Sequence, residues 1–291
     1  MPTLSRLASA APTRESAAET AVGRLYDSLT DAQKKMLALP LTDERRNTIN
    51  ANWHITKATV DSFTADQQKI IHEVVKGATS EEGYDRLIKQ MADDDGGIHN
   101  YSIAIFGNPH EGEFEFELTG RHLTLRADGN TKKAVALGGP IVYGHGESNP
   151  DKNLFHYQTK QANVVFDMLE GKQREVALIA DPPQEAAVKF RKEGRPMPGI
   201  AAGELSSDQK EQFKKSLESV MKIYRAEDVA EVMEVVEAGG GLDKLHFSFY
   251  QKGDLKNDKV WDIWRIEGPT VVCHFRGAPH VHAYINVARR A

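Results

Sequence analysis

Three observations predict an α+β fold built as helices, strands, helices and strands in turn. Helix-start signals cluster in two separate stretches, the apolar period falls to two in two others, and Gly- or Pro-rich breaks divide them. The first residues, "MPTLSRLASAAPTRESAAETAV", are small and polar and lack the apolar run that secretion requires, so 1–14 is expected to be a poorly ordered leader. Residues 15–291 then form a single large α+β domain, either undivided or as two intimately packed halves that meet near residue 150. The halves would share an order of elements, with no residue-level repeat between them.

Helix starts are read from capping boxes. "LTDAQ" at 29–33, "FTADQ" at 63–67 and "LSSDQ" at 205–209 each place a hydroxyl where it accepts from the backbone three residues on, while a Gln reaches back. "TSEE" at 79–82 opens a fourth, in which Tyr84, Leu87, Ile88 and Met91 recur at helical spacing. After 205 the stripe Phe213, Leu217, Val220, Met221 and Tyr224 marks one buried face. Helical patterns also cover 156–169 and 173–180. Strands are expected at "YSIAIFG", "EFEFELTG", "HLTLR" and "KKAVAL" between 101 and 142. Four more follow after 241, at "KLHFSFYQ", "VWDIWRIEG", "TVVCHFR" and "HVHAYINV". Glu113, Glu115 and Glu117 alternate with phenylalanine and read as a solvent-facing strand side.

Composition narrows the function. The chain has 27% charged residues and a formal charge of -5 with no basic block, which argues against a nucleic-acid partner. No run approaches the roughly 18 apolar residues of a membrane span. A soluble protein is expected, either cytoplasmic or exported after removal of a signal that this chain does not carry. Its single cysteine, Cys273, excludes an internal disulfide and a thiolate-rich metal site.

Histidine carries the chemistry that remains. His274, His280 and His282 fall within "VVCHFRGAPHVHAYINV" at 271–287. If "GAP" is a three-residue turn, Arg276 pairs with His280 and His274 lies opposite His282. His274, Arg276, His280, His282 and Tyr284 then share one face, and Cys273, Phe275, Val281, Ala283 and Ile285 the other. Opposed side chains start about 4.5–5.5 Å apart, close enough for their nitrogens to hold one ion. Clustered imidazoles beside an arginine would repel if protonated, and a divalent metal holds them neutral. The plainer reading is a polar outer face, each ring bonded to backbone. His122 can join the set if the two strand regions pack together, and His145 reads as a loop residue. No nucleophile elbow, P-loop, dinucleotide fingerprint or EF-hand is present.

The stretches "IFGNPHEGEFEFELTGRHLTL" and "WRIEGPTVVCHFRGAPHVHAYINV", with "ANWHI" at 51–55 and "SEEGYDRLIKQM" at 80–91, resemble the family catalogued as domain of unknown function 3500. The resemblance implies histidine positions at His122, His280 and His282. The chain departs from the family pattern at Arg121, where a second histidine is expected, at His274, where a glutamate is expected, and at Asn286 and Val287. Exchange of Glu for His keeps ligand character. Cupins also join three histidines and a glutamate, but their glutamate closely follows His-x-His, and it is missing here.

The expectation is a mononuclear metal-dependent enzyme acting on a small molecule. His122, His274, His280 and His282 would bind one divalent copper, iron or zinc ion, while catalytic residues beyond these ligands are not assigned. Trp261, Trp264 and Tyr284 lie near the ligands in sequence and tilt the reading toward a copper or iron oxidoreductase. The alternatives are a zinc hydrolase and a metal- or ligand-binding protein without catalysis. Nothing in the sequence sets the oligomeric state.

Overall fold

The computed structural model describes residues 11–131 and 134–289. Most of the expected leader lies outside the described residues. Its last part is held, because Arg14 donates to the carbonyls of Pro109 and Gly112.

The α-helices among the described residues are α1 (Ala17–Ser28), α2 (Asp31–Leu37), α3 (Ala65–Ala78), α4 (Glu81–Asp95), α5 (His156–Met168), α6 (Lys172–Ala177), α7 (Ser207–Met221) and α8 (Ala226–Ala238). The strands are β1 (Ala38–Leu39), β2 (Ser102–Asn108), β3 (Glu111–Gly120), β4 (Leu123–Ala127), β5 (Ile141–His145), β6 (Leu178–Ile179), β7 (Ile200–Ala201), β8 (His246–Tyr250), β9 (Ile263–Glu267), β10 (Val271–Arg276) and β11 (Val281–Val287). The α+β expectation holds, and the eleven strands among the described residues form one mostly antiparallel sheet.

Local signals explain the starts of α2, α3, α4 and α7. Thr30, Thr64 and Ser206 form complete capping boxes with Gln33, Gln67 and Gln209. In the fourth case Ser80, rather than Thr79, caps α4 by accepting from Gly83, while the Thr79 hydroxyl donates back to Val75. The expected strand over 132–137 is not formed in its described part. Leu137 has a left-handed backbone, which interrupts an extended run, and the strand lies further on as β5.

The order β1-β2-β3-β4-β5-β11-β10-β9-β8-β6 is symmetric about the β5–β11 pair. Each half contributes two helices, a short strand that pairs in parallel at the edge, two more helices and a four-stranded antiparallel meander. The two meanders are joined where Tyr143 of β5 pairs with Ala283 of β11. The halves therefore share one sheet, and the connection between them runs through 146–155.

Alternation divides the sheet into two faces. Phe116, Leu118, Tyr143, Trp264, Ile266, Phe275 and Ala283 pack against the helices in the main core. On the other face, irregular segments carrying Ala51, Val188 and Phe190 cover Val142, Val272 and Tyr284. Glu115 and Glu117 point to this second face and are buried, so they do not form the solvent-facing side expected of them. Arg126 pairs with both carboxylates and Arg46 binds Glu115, which explains how the two acids are tolerated there.

Candidate metal centre

The closing hairpin keeps the expected faces but not the expected register. Arg276 pairs with His282 and His274 with Tyr284, so the turn takes in all five residues 277–281. His280 is thereby lifted out of the ladder, beside the first residue of β11. On the other side of β11, Val281 pairs with His145, the last residue of β5. β5 in turn pairs with β4, whose first residue, Leu123, follows His122. Strand order thus delivers His122 to the hairpin.

His122 sits in the two-residue turn between β3 and β4 with a left-handed φ of 58°. That conformation is uncommon for a residue with a side chain and is kept only where the surroundings enforce it. Here the Tyr101 hydroxyl and the Gln90 amide both donate to the carbonyl of Arg121, and the His122 N–H donates to Ala51. The ring is turned toward its partners across the strand ends. Its centroid lies 5.0 Å from that of His280 and 4.8 Å from that of His282.

One nitrogen from each of His122, His280 and His282 lies within 4.8 Å of the others. A tetrahedral ion with metal–nitrogen bonds of about 2.0–2.1 Å requires separations of about 3.3 Å, within a small adjustment of this set. Nδ1 of His122 is 2.7 Å from Asp94 and Nδ1 of His282 is 2.8 Å from Glu185. An ionised carboxylate only accepts, so the bonds to Asp94 and Glu185 call for the proton on Nδ1 and a lone pair on Nε2, although Arg276 Nη2, itself a donor, lies 2.9 Å from Nδ1 of His282. Nε2 of His280 is 3.0 Å from Nε2 of His282 and 3.2 Å from Arg276 Nη2, which only donates. Ring nitrogens from separate elements therefore meet at one place.

Charge in the surroundings agrees. Burial opposes ionisation of Asp94, but hydrogen bonds from His122, Gln90 and Gly146 outweigh it and hold its pKa below the ordinary value. Glu185 behaves alike: burial is overcome by His282 and Arg276. Burial, with the nearby His282 and Arg276, lowers His280 to about 4. Burial also lowers His282, against the opposing bond to Glu185. Both shifts favour the neutral form of the two hairpin rings at ordinary pH.

A family model described as a protein of unknown function, DUF3500, matches residues 11–287. The chain belongs to this family. No curated protein and no solved structure matches it. No helix among the described residues is long and apolar enough to cross a membrane.

Of the four expected ligands, this DUF3500 chain brings three together and leaves out His274. The five-residue turn moves His274 one pair further from His282, under the second covering segment. It is fully buried, opposite Arg265, and neither ring nitrogen has a hydrogen-bond partner among the described residues. Trp261 and Trp264 also lie away from the histidines, in the helix-side core against Phe166 and Phe275. Tyr284 remains on the histidine face, with its ring 6.1 Å from that of His282.

The sequence reading missed Asp94, Glu185 and the cleft beside His122. This cleft, of about 840 Å³, is lined by Lys89, Asp94, Arg121, His145, Gly146 and Lys152 among others. His145 is buried: Nδ1 accepts from the Leu154 N–H, and Nε2 faces Asp93 at 3.2 Å. One signal for Asp94 was legible. Three aspartates close α4, where the helix dipole disfavours negative charge. Glu185 comes from the irregular segment "DPPQE" and carries no such signal.

Proposed function

We propose that this chain is a mononuclear three-histidine metalloenzyme acting on a small molecule. The observation that carries the reading is the convergence of His122, His280 and His282, with two of the rings held through Nδ1 by carboxylates, which leaves Nε2 as the nitrogen available to an ion. Carboxylate–histidine pairs of this kind fix the tautomer and orientation of metal ligands. Three protein ligands leave a coordination position open, as catalytic rather than structural sites do. When bound, the ion supplies Lewis-acid activation of a water or substrate oxygen.

Metal-assisted hydrolysis or hydration is the preferred reaction class, with zinc the simplest ion. The case for copper or iron oxidation loses the two tryptophans to the opposite face and keeps only Tyr284, which favours it as a second reading. The cleft beside His122 has the size of a small-molecule site.

Elemental analysis of the purified protein tests the proposal. About one equivalent of a transition metal per chain is expected, lost in the His280→Ala, His282→Ala double variant. Less than a tenth of an equivalent, unchanged by the substitutions, overturns it. Stoichiometric metal with no exchangeable water ligand would instead make the protein a carrier or receptor.

A further inference from the structure

We infer that the substrate presents a carboxylate to this centre, with one oxygen toward the bound ion and the other taken by Arg276; this rests on the metal reading above. Arg276 is cross-strand from His282 and places Nη2 2.9 Å from His282 Nδ1 and 3.2 Å from His280 Nε2. Both contacts are poor uses of a guanidinium. His282 Nδ1 is committed to Glu185, and the His280 lone pair is the one the ion would take. Nη2 is therefore a donor beside the ion without a lasting partner, and Nε, although it lies 3.1 Å from Glu185 as an ion pair, has no hydrogen-bond partner among the described residues either. The ion pair keeps the guanidinium beside the histidines while its donors stay open to a ligand.

Charge selects the ligand. The three imidazoles are neutral when they coordinate, so a divalent ion and Arg276 outweigh Asp94 and Glu185 by one positive charge. A monoanion balances that excess, whereas a phosphate dianion overshoots it. The planar two-oxygen group also suits the guanidinium fork, whose bonds to carboxylates are short and directional.

The surroundings agree with an anionic molecule. Arg121 is the other residue of the His122 turn. It is exposed, lines the adjoining cleft and has no ion pair among the described residues, as is true of Lys152, which also lines the cleft. The other basic residue of the cleft, Lys89, is neutralised by Asp93. A second anionic or polar group on the substrate would meet Arg121 and Lys152.

Cobalt(II) is a suitable probe, because its visible spectrum reports changes in coordination. The full chain, stripped of metal and loaded with cobalt(II), is titrated with acetate and separately with inorganic phosphate, alongside Arg276→Gln and Arg276→Lys. Acetate is expected to shift the spectrum of the unaltered protein. Its affinity should fall at least tenfold in Arg276→Gln and less in Arg276→Lys, with cobalt stoichiometry and melting temperature kept. Equal acetate affinity in Arg276→Gln, no acetate response at all, or tighter binding of phosphate than acetate overturns the inference while leaving the metal reading intact. Failure of the unaltered protein to take up cobalt removes the metal reading, and this inference with it.

Discussion

Asp94, in the last turn of α4, accepts from Nδ1 of His122 at 2.7 Å, although an acid at that end of a helix faces the negative pole of the dipole. The cost is offset by two further donors, the Gln90 amide and the Gly146 N–H, both at 2.8 Å. A carboxylate kept against the dipole and satisfied on both oxygens is a device for orienting His122. Replacement should act on metal affinity more than on folding. Asp94→Asn, which removes the charge, is expected to weaken binding about tenfold and Asp94→Ala up to about a hundredfold, the range typical of such outer partners. Competition against a chelator of known affinity measures this.

Gly146 makes that arrangement possible. A Cβ on it would stand 2.7 Å from Oδ1 of Asp94 and 3.3 Å from Cε1 of His122, too close for the carboxylate to stay. Gly146→Ala should therefore reproduce much of the Asp94→Ala loss without touching a charged or ligating residue. Equal metal affinity in Gly146→Ala and the unaltered protein would show that Asp94 does not govern His122.

His274 separates the candidate ligand set from its neighbours. Since it stands outside the triad, His274→Leu should keep full metal stoichiometry, where His282→Ala loses it. The same variant has a pH signature. Burial, then the charge of Arg265, lowers His274 to about 3 from an ordinary value of 6.5. Between those values the unfolded chain binds the proton and the folded chain does not, so stability rises with pH across that window and is lost on acidification through it. Removing the ring should flatten this acid limb by a few kcal/mol at most. Urea titrations of the metal-free protein at pH 4.5 and 7 measure the difference.

The elements that could be read from the sequence are those whose causes are local. Thr30, Thr64 and Ser206 sit three residues before their glutamines, and the stripe from Phe213 to Tyr224 is one helix face, so both are visible without knowing what packs against them. The faces of the closing hairpin were legible for the same reason, since alternation survives a change of turn length. Its register was not. A turn of three residues and one of five both keep His274 and His282 on one face, and only packing decides between them. Burial of Glu115 and Glu117 needed Arg46 and Arg126, which come from outside their own strand. Glu185 reaches His282 across 97 residues of sequence, and no local pattern records such a contact.

The symmetry of the sheet, too, is a property of topology more than of residues. The β3–β4 turn carries Arg121 and His122, while the corresponding turn between β9 and β10 is Gly268, Pro269 and Thr270. One half holds a candidate ligand where the other holds none, so a single metal equivalent, rather than two, is expected per chain.

Glu231 gives the opposite pH response from His274. It lies on α8, buried, and accepts from the N–H of Leu137 at 3.3 Å. Burial, reinforced by repulsion from Asp128, raises its pKa to about 8 from 4.5. Between these values the folded chain holds a proton that the unfolded chain has released, so stability falls as pH rises through the window. Glu231→Gln keeps an acceptor for Leu137 and removes the charge. The variant should match the unaltered protein at pH 5 and exceed it at pH 8.5 by on the order of 1–3 kcal/mol. His274 no longer titrates above its ordinary 6.5, so the alkaline limb reports the buried acids without interference. A gain of the same size at both pH values would mean that packing, and not ionisation, sets the contribution of Glu231.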